Sequence, residues 1–229
     1  MFDGRWRSDA ERVIRPVATG IRRTGVSADH LTAFGLGMAV VAAVLVARGD
    51  LRWGVVALTV SSLADVLDGS VAKSAGTASP RGAFFDSVAD RFSDALLLGA
   101  VSWFLLDTDG GRVVLLPVAV LALSLTISYE RAKAEALGFQ ARGGLMERLE
   151  RIVALGVGLF FEPLLIPILW AMLVLTAFTA AQRFGRVWRQ ATEAGDIPDL
   201  GRVEVGRWRG RRIARPTERM LRYRQPRRR

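Results

Sequence analysis

The sequence predicts an all-α, polytopic membrane protein with six transmembrane helices and an N-terminal amphipathic helix at the interface. Three observations predict it. Of the 229 residues 51% are hydrophobic, yet the formal net charge is +10, a pairing unusual in a soluble domain. The apolar residues come in blocks, with the arginines between the blocks or at the ends, as in chains that cross a bilayer several times. With the N-terminus inside, the outer loops hold only Arg48, Arg52 and Arg112 as cations, and the inner segments hold the rest. That is the positive-inside bias.

The composition also excludes chemistry. There is no cysteine, so disulfide, zinc-thiolate and thiol-nucleophile readings fall. His30 is the single histidine, which removes multi-histidine metal sites and argues against a Ser-His-Asp triad. The richness in Arg, Ala, Gly and Val suggests a high-GC bacterium, hence the bacterial inner membrane.

Residues 1–26 interleave Trp6, Val13, Ile14, Val17 and Ile21 with arginines at roughly helical spacing. They read as an amphipathic helix on an anionic cytoplasmic leaflet. No short apolar run precedes a cleavage site there, so the first apolar block is expected to be a retained span. Ser27 or Asp29 can cap its start. The spans follow at 31–47, 53–75, 82–106, 112–137, 146–161 and 163–183, and 27–190 forms one six-helix domain. Residues 48–52 and 107–111 are tight turns on one side; 74–81 and 139–144 are loops on the other. Several apolar runs are shorter than the ~20 residues a bilayer needs, so the helices extend beyond their apolar parts into the cytoplasm. Residues 191–229 form a basic cytoplasmic tail, its arginines interleaved with Trp208, Ile213, Met220, Leu221 and Tyr223. A surface-bound tail is favoured over a nucleic-acid-binding one, because the adjacent membrane is already an anionic partner.

The functional residues centre on 65–90. Asp65 and Asp68 are three apart, Asp86 and Asp90 four apart. On a helix each spacing puts both carboxylates on one face. A Gly/Ser/Thr/Pro turn separates the pairs, and the hairpin would bring the four together on the cytoplasmic side. Bare carboxylates at that distance repel. Hard oxygen ligands are most simply neutralised by Mg²⁺ or Mn²⁺.

The pattern D-x-x-D-G-x-x-A-K-x₈-G-x-x-x-D-x-x-x-D, carried by Asp65, Asp68, Gly69, Ala72, Lys73, Gly82, Asp86 and Asp90, resembles the signature of the CDP-alcohol phosphatidyltransferase family. The family usually has Arg where this chain has Lys73. The resemblance covers the six spans and implies transfer of a phosphatidyl group from CDP-diacylglycerol to an alcohol, with release of CMP. It implies two divalent ions per active site, Mg²⁺ or Mn²⁺, held by Asp65, Asp68, Asp86 and Asp90. Asp90 is also implied as the general base. Gly69 and Gly82 would admit the nucleotide, since a side chain there would block it. Asp29, His30, Leu31, Thr32, Ala72, Lys73 and Ser79 complete the implied CDP-lipid-binding set. Asp94 continues the Asp86–Asp90 stripe and reads as a packing or supporting residue. The family further implies a homodimer among membrane lipids, with no nucleic-acid partner.

The acceptor rests on a second constellation. Arg131 and Lys133 close the fourth span, Arg148 and Arg151 open the fifth, and Arg183 ends the sixth. Cations converging on one pocket suit a phosphorylated acceptor; the plain alternative is a basic cytoplasmic loop. The runs SYERAKAE and GGLMERLER and the late Gln182-Arg183 resemble the phosphatidylinositol phosphate synthases of actinobacteria and their archaeal relatives, whose acceptor is inositol 3-phosphate. By that resemblance Arg131, Arg148 and Arg183 bind its phosphate, with Lys133 and Arg151 nearby. Two departures stand out: Arg-Ala-Lys replaces Lys-Ala-Arg, and Leu149 replaces a proline. Glycerol 3-phosphate is the alternative acceptor. Other classes fit less well. A transporter would place its acidic residues near the midplane, a di-iron bundle needs paired Glu-x-x-His motifs, and an anchor for a nucleic-acid-binding tail would lose its function on deletion of residues 200–229, where a transferase keeps turnover.

Overall fold

The computed structural model describes residues 27–75, 79–141 and 143–194, together with Gly20. Regular structure among the described residues is entirely helical: α1 (Ala28–Ala47), α2 (Leu51–Ala75), α3 (Pro80–Thr108), α4 (Leu115–Ala136), α5 (Arg148–Phe160) and α6 (Leu165–Glu193). Short 3₁₀ turns, Gly111–Val114 and Glu162–Leu164, lead into α4 and α6. The chain divides into two compact units, Met1–Arg189 and Gln190–Arg229. The expected amphipathic helix of residues 1–26 and the tail from residue 195 lie outside the described residues.

Each expected span has a helix, but only four stretches among the described residues are long and apolar enough to cross a membrane. They are Ala28–Ala47, Leu51–Ala72, Gly111–Ala136 and Glu162–Glu193. The other two helices differ for separate reasons. α3 has 29 residues, but its first half carries Asp86, Asp90, Arg91 and Asp94. α5 has 13 residues, about 20 Å at 1.5 Å per residue, against a hydrocarbon core of about 30 Å. α6 runs past the expected end at 183 to Glu193; nothing between Arg183 and Glu193 breaks a helix except Gly185, which a helix interior tolerates.

Local chemistry explains the boundaries. Ser27, not Asp29, caps α1: its Oγ accepts from the His30 N–H at 3.3 Å, and the His30 ring faces the Ser27 N–H at 3.4 Å. This is a capping box with histidine in the place of the usual glutamate. Gly49, at φ +86°, ends α1. Its N–H donates to Val46 O at 3.0 Å and the next N–H, of Asp50, donates to Leu45 O at 2.9 Å, so the last carbonyls are satisfied. Ser79 caps α3 by accepting from the Gly82 N–H at 3.1 Å, with Pro80 in the first turn, where its missing N–H costs nothing.

α1 packs most extensively on α2 and α3, and small residues let it. A Cβ on Gly35 would stand 3.4 Å from Ala64 Cβ, and one on Gly54 would run into Val46. Ser61 Oγ donates to the Gly35 carbonyl at 2.8 Å across the seam. Close backbone approach through small residues is how membrane helices associate without a hydrophobic driving force between them. This seam fixes the rotation of α2, and with it the direction of Asp65 and Asp68 one and two turns further on. Below the seam, Val46, Val101, Leu105, Leu155, Leu159, Leu169 and Met172 form a continuous buried core.

Candidate active site

The last turns of α2 and the first turns of α3 meet as the hairpin requires. Carboxylate oxygens of Asp65, Asp68 and Asp86 all lie within 4.8 Å of one another. Asp68 is the most enclosed, at 5% exposure, and its Oδ2 accepts from Thr32 Oγ1 of α1 at 2.5 Å. Oxygen-only donors suit a hard divalent cation. Gly69 beside them faces open space: a Cβ there would meet no other heavy atom within 4 Å.

Asp90 stands outside this three-carboxylate group and is joined to it by α5. Arg148 Nη1 reaches Asp65 Oδ2 at 2.5 Å and Asp90 Oδ1 at 2.9 Å, while its Nε is 3.6 Å from Asp94 Oδ1. Arg91 Nη1 is 3.3 Å from Asp90 Oδ2, and Arg151 Nη2 is 3.2 Å from Asp94 Oδ2. Asp65, Asp90 and Asp94 pair with three guanidiniums, and Asp68 and Asp86 stand beside Asp65. The five carboxyl groups outnumber the three guanidiniums, and a divalent cation among them would offset the excess of acidic groups. Asp94 contacts both arginines of the first turn of α5. A cavity lined by Thr32, Asp65, Asp68, Asp90, Ser93 and Arg148 opens at this point.

The candidate nucleotide end lies beside it. A Cβ on Gly82 would stand 3.3 Å from Ser79 Oγ and 3.5 Å from Asp29 Oδ1, so the starts of α1 and α3 converge there. Thr32 is buried, Asp29, Leu31 and Ala72 are half-buried and His30 is exposed, its ring engaged in the cap. Lys73 lies in α2, and its side chain is outside the described residues.

The basic residues divide into two groups rather than one. Arg148 and Arg151 face the aspartates. Arg183, 3% exposed, is turned to the backbone: Nη1 donates to Ile127 O at 3.1 Å and Nη2 to Gly143 O at 3.2 Å, with Glu147 Oε1 3.9 Å away. Arg131 is close enough to repel Arg183 electrostatically, and its Nε is 3.0 Å from Glu135 Oε1. Lys133 is exposed on the same last turns of α4. Arg183 Nε and Arg148 Nε are buried without a hydrogen-bond acceptor among the described residues.

Sequence reading missed Thr179. It lies on the buried stripe of α6 formed by Leu165, Leu169, Met172, Thr176, Thr179 and Arg183, which turns from apolar to polar as it nears the site. The spacing of Thr176, Thr179 and Arg183 at three and four residues, which puts them on one helix face, was the available signal.

The family model described as CDP-alcohol phosphatidyltransferase matches residues 26–182. The phosphatidylinositol phosphate synthase of Mycolicibacterium smegmatis is 37% identical over 197 residues, covering 82% of this chain and 88% of that protein. That of Corynebacterium glutamicum is 34% identical over 185 residues, covering 77% and 84%. Among solved structures, Mycobacterium tuberculosis phosphatidylinositol phosphate synthase with CDP-DAG bound superposes with a TM-score of 0.72 at 32% identity, covering 77% of this chain and 94% of that one. The same enzyme in complex with manganese and citrate gives 0.69 at 31% identity, covering 76% and 88%.

Proposed function

The chain belongs to the CDP-alcohol phosphatidyltransferase family, and on that premise we propose that it makes phosphatidylinositol phosphate. It transfers the phosphatidyl group of CDP-diacylglycerol to a hydroxyl of 1D-myo-inositol 3-phosphate and releases CMP. The observation that carries this reading is the contact of Arg148 with both Asp65 and Asp90. A cation able to take a phosphorylated acceptor stands against a carboxylate group able to hold divalent ions for the donor's diphosphate. Inositol 3-phosphate and glycerol 3-phosphate both carry the phosphate that the arginines would recognise, and similarity to the phosphatidylinositol phosphate synthases favours the former.

Asp65, Asp68 and Asp86, with Asp90, would hold two Mg²⁺ or Mn²⁺ ions, which supply charge neutralisation on the diphosphate and on the departing CMP. Asp90 takes the proton from the acceptor hydroxyl. That oxygen forms its bond to the β-phosphorus as the bond to the CMP oxygen breaks. Asp29, Thr32, Ser79 and Gly82 line the nucleotide end, Gly69 leaves the donor room to approach, and Leu31, Ala72 and Lys73 flank it. His30 contributes by fixing the start of α1. Arg148 and Arg183 bind the acceptor phosphate, with Arg131, Lys133 and Arg151 setting the local positive potential. A phosphate reaching Arg148 would exchange one anionic partner for another, so the guanidinium is never left buried and unpaired.

In this reading all six helices are integral to the membrane, α3 and α5 by packing among the longer four. The site faces the cytoplasm of a bacterial inner membrane, the side to which the arginines are biased, and the enzyme works as a homodimer. Purified protein with CDP-diacylglycerol and Mg²⁺ is given inositol 3-phosphate, free inositol or glycerol 3-phosphate, and CMP release is measured. Turnover with inositol 3-phosphate above the other two is the expected result. Preference for glycerol 3-phosphate would reassign the acceptor, and no CMP with any acceptor would sink the reading.

A further inference from the structure

Arg148 does its work only if the backbone in front of it is held. The segment Gly143–Glu147 is irregular, begins with Gly143 at φ +87°, and enters α5 at Glu147, which provides no side-chain cap. Its own Met146 is buried in the core, and three side chains hold its backbone from outside. Arg183 donates to Gly143 O at 3.2 Å, Arg151 Nη1 donates to Met146 O at 3.2 Å, and Thr179 Oγ1 accepts from the Met146 N–H at 3.2 Å. Arg183 and Arg151 already have roles in the site. Thr179 has none.

Thr179 is fully buried, and its hydroxyl both donates and accepts. It donates to Leu175 O at 2.8 Å, one turn back on α6, and accepts from Met146. The donated bond holds the rotamer in which the oxygen faces the Met146 N–H. Its methyl group is equally specific: a Cβ added to Gly144 would collide with Thr179 Cγ2. Glycine at 144 and threonine at 179 therefore form a matched pair, a notch and the methyl that fills it. The contact lies two residues ahead of Arg148, whose own reach spans 83 positions to Asp65.

We propose that Thr179 is a positioning residue of the transferase, the pin that holds the 143–147 segment on α6 and so aims Arg148 at the shared space between Asp65, Asp90 and the acceptor's phosphate. It touches neither substrate nor reacting atom. This rests on the role given to Arg148 under the proposed function.

The test uses full-length protein and CMP release, with acceptor and CDP-diacylglycerol titrated separately. Thr179→Val keeps the shape but leaves the buried Met146 N–H without an acceptor, and Gly144→Ala pushes the segment off the same methyl. Each should raise the acceptor KM by about tenfold, the scale of one orphaned buried donor, with little change in the CDP-diacylglycerol KM. Thr179→Ser, which restores the hydroxyl, should recover most of the loss. In an Arg148→Gln background, Thr179→Val should add nothing further, because the pin acts through Arg148. An unchanged acceptor KM in both Thr179→Val and Gly144→Ala overturns the assignment. So does a loss that persists undiminished beside Arg148→Gln, which would mean general destabilisation. The two readings fail separately. A wild-type enzyme inactive with phosphorylated acceptors defeats the proposed function, whereas an active wild type matched by Thr179→Val defeats only the pin.

Discussion

Replacing Arg148 with glutamine should push two measurable affinities in opposite directions. The side chain contacts Asp65, Asp90 and Asp94 at 2.5, 2.9 and 3.6 Å and is 24% exposed. It therefore sits between the regime of exposed ion pairs, worth up to about 1 kcal/mol, and the gross attraction of about 4 kcal/mol for unit charges 4 Å apart at an effective dielectric constant near 20. A net competition of about 1–2 kcal/mol against a cation arriving at Asp65 follows. Glutamine keeps much of the bulk and removes the charge, so Mn²⁺ should bind the substrate-free variant roughly tenfold more tightly. The acceptor loses a charge-assisted contact worth about 1.5–3 kcal/mol, so its KM should rise roughly 10- to 150-fold. Mn²⁺ titration followed by electron paramagnetic resonance reads the first effect, and CMP release against acceptor concentration reads the second. A variant with weaker Mn²⁺ binding and an unaltered acceptor KM would refute the shared-cation reasoning. Arg148 would then be a structural brace for α5 alone.

Asp90→Asn should abolish turnover while metal-dependent binding of the CDP-lipid survives in part, since Asp65, Asp68 and Asp86 form their group without it; normal turnover in that variant removes Asp90 from the role of base. Thr32→Val deletes the donor to Asp68 Oδ2, and loss of such a support to a ligand should cost about 10–100-fold in Mn²⁺ affinity, with Thr32→Ser near wild type in the same titration. Gly82→Ala places a methyl 3.3 Å from Ser79 Oγ and 3.5 Å from Asp29 Oδ1. It should raise the KM for CDP-diacylglycerol and leave that for the acceptor alone, a split that steady-state kinetics resolves. Chelation with EDTA should stop CMP release and re-addition of Mn²⁺ restore it; persistence of activity in the chelated, dialysed enzyme would contradict the carboxylate group's role.

The carboxylates were legible in the sequence because their arrangement is local. Spacings of three and four residues put Asp65 with Asp68 and Asp86 with Asp90 on single helix faces, and one short turn brings the two faces together. Helical periodicity supplies that geometry for Asp65, Asp68 and Asp86, while Asp90, expected among them, stands outside the group and is joined to it through Arg148. The helices were legible for the same reason, and the two that fall short of a bilayer's demands show where the rule thins out. α3 carries the site's charge inside its own length, and α5 is too short to span unaided. The arginines were legible in kind but not in partner. Arg148 reaches Asp65 across 83 positions, Arg151 reaches Asp94 across 57, and Arg183 reaches Gly143 across 40. No periodicity relates such pairs. A basic cluster read from the chain looks like one pocket for one phosphate. In the fold it is two groups: Arg148 and Arg151 of α5 face the carboxylates, while Arg183 of α6 donates to Ile127 O and Gly143 O. This division gives a reason for so many cations around a single acceptor phosphate. A guanidinium already drawn to aspartates must be kept within reach of a second anion, and that takes a braced backbone as well as a charge.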